Sequence, residues 1–342
     1  MIMLPAVLLL QTAVVRAAAL PRGVVDSGDP PARVARISYL KGSVSFQVVG
    51  DTGWSDATLN YPATTGDRLY TDQDSRAELQ LGRYAVRLSE STDLTLTDLT
   101  DDFMQLGLAQ GTIRVSVYRL PSDDSIEVDT PNGTLSLLEA GEYWVAIAGD
   151  SATVVSVDRG RLEVSAGDVR QVVQRGQAVR LSGTAPVEVA DVAAPPPDDF
   201  DEWSATRDHR LSASRSAQYV SPDIAGYDDL DDAGSWQVDL DYGPVWYPAG
   251  VPAGWVPYRY GHWVWVEPWG WTWVEDEPWG FAPFHYGRWV YVGAAWGWLP
   301  GPVVVLPCYG PALVVFLDGS PFGYAGGAEA WFPLGPGEPY FP

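Results

Sequence analysis

The sequence predicts a mainly β protein in two parts, and three patterns carry that reading. From Ala32 to about Gly183, apolar residues alternate with polar ones at Val44-Phe46-Val48, Ala77-Leu79-Leu81, Ile113-Val115-Val117, Leu135-Leu137, Val145-Ile147, Val155-Val157 and Leu162-Val164. A period of two marks strands with one buried face. Glycine heads several of these strands, as in Gly42-Ser43-Val44, Gly111-Thr112-Ile113, Gly133-Thr134-Leu135 and Gly160-Arg161-Leu162, where it supplies the positive φ of a tight turn. Finally, residues 258–302 hold nine of the sixteen tryptophans and repeat themselves. Tyr260-Gly261-His262-Trp263-Val264-Trp265-Val266 recurs as Tyr286-Gly287-Arg288-Trp289-Val290-Tyr291-Val292. The expected architecture is an all-β N-terminal domain, sandwich or solenoid-like, then an aromatic-rich small-sheet repeat domain, with one short helix in the connector.

Each segment has its own reason. Residues 1–20 read as a secretory signal peptide: Ile2–Val15 is an apolar run too short to span a bilayer comfortably, and Ala17-Ala18-Ala19 is a small-residue cleavage signal. No basic residue precedes the run, a departure from the usual pattern. Residues 21–31 are a Pro/Gly/Asp linker. Residues 32–183 form the first β domain and should fold alone, because Pro195-Pro196-Pro197 marks a break after it. Residues 184–241 are an acidic connector, read as solvated and pinning the two domains together. Within it Asp199–Ser216 suits a helix, with acids in the first turn and arginines later. Phe200 and Trp203 would dock that helix on a neighbour. Residues 242–342 are the aromatic domain. Its repeat extends to Trp269-Gly270-Trp271 and Trp296-Gly297-Trp298, with one residue inserted, and is echoed upstream in Tyr242-Gly243-Pro244-Val245-Trp246. A repeat of this kind reports stacked structural units before chemistry. The tail adds apolar strands at Val303–Leu306 and Leu313–Leu317.

Charge and cysteine content narrow the partners. With 44 acids against 21 bases the net charge is −23, which argues against nucleic acid or an anionic membrane surface. Membrane contact is expected only through the signal segment, if it stays uncleaved. The single Cys308 makes no internal disulfide, and export without disulfides fits a bacterial periplasm or outer surface. The expected location is periplasmic or secreted.

Residues 32–183 resemble the FecR domain of bacterial envelope regulators. The resemblance rests on Gly66-Asp67-Arg68-Leu69, Ala77-Glu78-Leu79-Gln80-Leu81, Val128-Asp129-Thr130-Pro131-Asn132-Gly133-Thr134, Gly141-Glu142-Tyr143-Trp144-Val145, Val157-Asp158-Arg159-Gly160 and Gly176-Gln177-Ala178. It implies a sensing or signalling module with no catalytic residues to carry over. The regulators place a sigma-factor-binding segment and a membrane helix ahead of this domain, whereas a signal-like run stands here. Reuse as a binding or scaffold module is therefore expected. The second half resembles a tryptophan-rich domain of unknown function that follows FecR-type domains in exported bacterial proteins. The carrying residues include Trp246-Tyr247-Pro248, Gly261-His262-Trp263, Pro278-Trp279-Gly280-Phe281-Ala282-Pro283, His285-Tyr286-Gly287-Arg288-Trp289 and Trp331-Phe332-Pro333-Leu334-Gly335-Pro336-Gly337-Glu338.

Chemistry is sparse. No nucleophile elbow, phosphate loop, HExxH or CxxC occurs, and neither an enzyme nor a cofactor is expected. His262 and His285 with Glu267, Glu275, Asp276 and Glu277 have the donor types of a metal site but no ligand spacing, so no metal is assigned. Nothing fixes two carboxylates at a hydrolase separation. Pro131-Asn132-Gly133 reads as a hairpin turn rather than a glycosylation site. The candidate binding face is Trp263, Trp265, Trp271, Trp273, Trp289 and Tyr291. The expected partner is an envelope protein, or a cell-wall glycan held by that face. The competing expectation is that these rings form a mutually packed core.

Overall fold

The computed structural model describes residues 30–303, 307–316 and 330–340; the signal peptide and most of the linker lie outside them, as does much of the tail. The chain is mainly β, as the alternation predicts. Seventeen strands between Ala35 and Val192 form two sheets that share one long strand, Phe103–Val117. Its first part pairs with Thr92–Leu99 and, in parallel, with Ser125–Thr130. Its last part pairs with Tyr84–Leu88 and Gly141–Ile147. The switch between sheets falls at Gly111, whose φ is +86° and where a Cβ would collide with Thr92. The alternating residues named above, among them Val44, Phe46, Leu79, Ile113, Val115, Leu135, Val155 and Leu162, form one buried core between the sheets. The strand Glu188–Val192 extends a sheet beyond residue 183 by pairing with Ala178–Ser182. Asn132 sits in the expected turn and is buried, its amide donating to Gly183 O and its oxygen accepting from Thr153.

The connector differs from expectation in two respects. Its helix, α1 (Asp199–Ser212), stops four residues early; Asp198 caps it, within a capping box with Asp201. It is also not simply solvated. Phe200 is buried, Trp203 meets Tyr39 at 5.0 Å, and the helix lies across strands Arg76–Gln80 and Tyr84–Leu88. There Glu78 and Arg87, each with a side chain 1% exposed, pair at 2.6 Å. Arg207 of α1 closes on Glu78 at 2.6 Å, while Asp208 receives Arg87, Tyr118 and Ser116. Burial alone would raise the pKa of Glu78, but the two guanidiniums hold it down at about 2.

Among the described residues the aromatic part holds three tight hairpins, the first of them starting inside the connector. The first joins Gly234–Asp239 to Gly243–Pro248, the second Gly261–Val266 to Gly270–Glu275, and the third Arg288–Val292 to Ala295–Leu299. The first and third share a four-stranded sheet through the pair Trp246–Trp298; the second is a separate two-stranded ribbon.

The second hairpin seals the two halves together. Side chains two apart on a strand share a face. Its Val266 and Val274 therefore join the β-sandwich core, with Val264 packed on that core. Its Trp273, on the other face, joins a second core of Trp246, Trp255, Trp279, Phe281, Phe284, Trp289 and Trp298. Polar bonds close the same seam. Arg36, 1% exposed, bonds Asn60 Oδ1, Gln80 Oε1, Pro278 O and Asp229, and its guanidinium lies 5.5 Å from the Phe281 ring centroid. Asn60 in turn donates to Glu275 O and Glu277 O.

Candidate functional site

The three hairpins are copies of one unit, and their register decides which rings are free to act. Each begins at Gly-x-Trp: Gly234-Ser235-Trp236, Gly261-His262-Trp263 and Gly287-Arg288-Trp289. Each leading tryptophan faces another across the ribbon, in the pairs Trp236–Trp246, Trp263–Trp273 and Trp289–Trp298. The second tryptophan of each pair lies against the leading glycine, where any Cβ at Gly234, Gly261 or Gly287 would collide with it. Its buried indole N–H finds an acceptor: Leu230 O for Trp246, Glu275 Oε2 for Trp273 and Tyr286 O for Trp298.

This register corrects two sequence alignments. The upstream copy starts at Gly234, and Tyr242-Gly243 is its turn, with Gly243 at φ +76°. Trp271 and Trp273, not Trp269 and Trp271, correspond to Trp296 and Trp298. The second hairpin turns through residues 267–269 and the third through 293–294 alone, so the third copy is one residue shorter at its turn, not one longer.

The predicted face divides accordingly. Trp273 and Trp289 are each 2% exposed and belong to the aromatic core, so neither can serve as a binding surface. Trp263 is half-buried against Trp273, Phe316 and Trp331 at 5.3–5.5 Å. The pair nearer the turn behaves differently. Trp265 is 54% exposed and faces Trp271, 38% exposed, their rings perpendicular with centroids 5.6 Å apart. Tyr291, 60% exposed, faces Trp296 at 5.4 Å in the third hairpin. In the first hairpin the same positions hold Val238 and Pro244. Each unit thus has an inner pair for packing and an outer pair nearer water, with Trp296 of the third hairpin half-buried against the aromatic core.

Histidines and acids are not gathered. Among the described residues no cluster of three His, Cys, Asp or Glu side chains suited to a metal occurs. His262 is half exposed and lies 3.4 Å from Asp276. His285 is buried with Nδ1 bonded to Gly310 O, and burial pulls its pKa down to about 4. Glu275 is 2% exposed; burial pushes it up to about 8, even though Trp273 donates to it, and its Oε1 has no hydrogen-bond partner. The folded state therefore favours protonated Glu275 while the unfolded chain ionises near pH 4.5. Stability should fall as pH rises from about 4.5 to about 8, since the native state binds more protons across that window. Urea midpoints of wild type and Glu275→Gln, compared at pH 5 and pH 8, check this. The wild type should lose more stability than the variant, and parallel losses would exclude the assignment.

Comparisons with known proteins reach parts of the chain. A family of unknown function, DUF6600, matches residues 227–338, which contain all three hairpins. No FecR family model matches the chain, and no curated protein does. Among solved structures, two crystal structures of a provisionally assigned anti-sigma factor from Parabacteroides distasonis are similar at 18% identity and a TM-score of 0.33. They cover 37% of this chain, and this chain spans 60% of theirs.

Proposed function

We propose that this chain is a non-catalytic, exported module of the bacterial cell envelope that holds a protein partner. In this reading the FecR-like half, α1 and the aromatic core form a rigid scaffold, and the turn of the first hairpin is the contact point. The observation that supports it is that turn's surface. Val238 is 76% exposed, Leu240 fully exposed and Tyr242 43% exposed. Large apolar side chains so placed contribute nothing to a core and mark interaction sites. Asp239 braces the turn by accepting the N–H groups of Asp241 and Tyr242, so the apolar residues are presented on a fixed loop. Asp239 and Asp241 alternate with them, and the chain carries −23 overall. The complementary surface is an apolar pocket with a basic rim.

Two measurements test this. N-terminal sequencing of the mature protein should find cleavage near Ala19, and Met1 retained in a membrane fraction would overturn export. A photo-crosslinking residue placed at Leu240 in the native host should give a discrete protein adduct. That adduct should vanish when Val238 and Tyr242 become Ser, and should be absent when the probe stands at exposed Leu138. No adduct, or the same one from both positions, would defeat the proposal.

A further inference from the structure

We infer that the outer pair of the second hairpin is a binding site for a neutral saccharide, separate from the protein contact proposed for the first hairpin. Trp265 carries the argument. It lies in water at 54% exposure, yet its ring is fixed on three sides. Its N–H donates to Glu267 Oε1 at 2.8 Å. The ring of Trp271 stands perpendicular to it, the centroids 5.6 Å apart. Below it is Gly270, where a Cβ would stand 3.4 Å from the six-membered ring. The result is an indole held in one orientation in water.

Folding does not require this arrangement. In the first hairpin Val238 and Pro244 fill the same positions. The second and third hairpins place aromatic pairs there instead; Trp265, Trp271 and Tyr291 stay exposed, while Trp296 is half-buried. Aromatic cross-strand pairs stabilise a ribbon only slightly. A rigid, exposed aromatic surface is also the geometry that association rewards, because little freedom is lost on binding.

The ligand class follows from where the carboxylate sits. An N–H bond points along the indole plane, so Glu267 lies beside the ring rim and not over its face. A compact cation centred on the face would not reach it. A pyranose is wider: its axial C–H groups can lie on the ring while an equatorial hydroxyl overhangs the rim and donates to Glu267. Anionic sugars would meet Glu267 and an overall charge of −23. The class is therefore a neutral saccharide with equatorial hydroxyls, of glucose or N-acetylglucosamine configuration.

Titration calorimetry of the full chain with cellohexaose and chitohexaose tests the inference, with a polygalacturonate oligomer and a lysine hexapeptide as charged controls. At least one neutral oligosaccharide should bind, and neither control should compete with it. Trp265→Ala should weaken binding at least tenfold, and Glu267→Gln severalfold, while the urea midpoint of Glu267→Gln stays within error of wild type. Tyr291→Ala should bind as wild type does. Absence of binding to both neutral probes would overturn the inference. So would unchanged affinity in Trp265→Ala and Glu267→Gln, or binding of the lysine peptide at Trp265 in their place. Loss of the Leu240 adduct leaves this result untouched, so the two proposals fail independently.

Discussion

Glu78→Ala should destabilise the protein by about 3–5 kcal/mol at neutral pH, because it removes the carboxylate shared by two buried guanidiniums and leaves Arg207 without it. Arg87 would keep Asp208, but Arg207 would face it across a space with no carboxylate between them. Acid should reproduce part of the effect. The carboxyl titrates near 2 in the folded protein and near 4.5 when unfolded. Its contribution is fully present above about pH 4.5 and is lost as pH falls toward 2. Urea unfolding from pH 7 to pH 3 would show this as a slope that the variant lacks. Replacing Glu78, Arg87 and Arg207 together by apolar residues should cost much less than Glu78→Ala alone, since buried ion pairs return little net stability over well-packed apolar groups. A loss below about 1 kcal/mol in Glu78→Ala would mean that water reaches the cluster. The same variant should also expose α1 to proteolysis, because Arg207, with Asp208 and Asp201, forms the ion pairs that tie the helix to the sheet.

Trp298→Ala should be comparably severe, also about 3–5 kcal/mol. The ring is fully buried, bonds Tyr286 O at 2.8 Å, and pairs with Trp289 on one side and Trp246 on the other. No neighbouring side chain can collapse into a space that size without dragging two further indoles. Gly287→Ala should hurt for a separate reason: its φ of +69° is unfavourable for alanine, and the added carbon would overlap Leu299 O and the Trp298 ring. Trp263 and Trp289 occupy equivalent positions, yet equal effects are not expected. Trp289→Ala should approach the cost of Trp298→Ala, whereas half-buried Trp263 should lose less. Trp265→Ala should fall within about 1 kcal/mol, the range of an exposed cross-strand pair. Melting of Trp298→Ala and Trp289→Ala unchanged from wild type would refute the core assignment.

Local patterning made much of this legible. Period-two alternation located the sandwich strands, because one face of each is covered by its own domain. The connector's role was hidden by the same rule. Glu78 sits between Ala77 and Leu79, where alternation assigns it to water, and only α1, contributed more than a hundred residues later, covers it. No local signal announces such a lid, although a helix carrying Arg207 and Asp208 side by side matches the charges of Arg87 and Glu78. The aromatic copies were visible, but aligning them on Tyr-Gly misplaced the first. The recurrence that survives folding is glycine followed twelve or eleven residues later by tryptophan, since the ring must reach that glycine across the ribbon. Which rings face water was not legible, because inner and outer pairs are both rich in tryptophan and differ only in distance from the turn.

The second hairpin has a bearing on how such proteins can be recombined. A segment that packs only on itself can be cut out and joined to a new neighbour at little loss. Here alternate residues of one ribbon answer to different cores, so residues 227–338 carry valines shaped for a sandwich that lies outside them. Transplanted alone, they would present Val266 and Val274 to water and leave the Glu275 and Glu277 carbonyls without Asn60. Chimeras joining this segment to a foreign β domain will inherit both its shape and its demand for a matching surface, which limits the partners with which it can be shuffled.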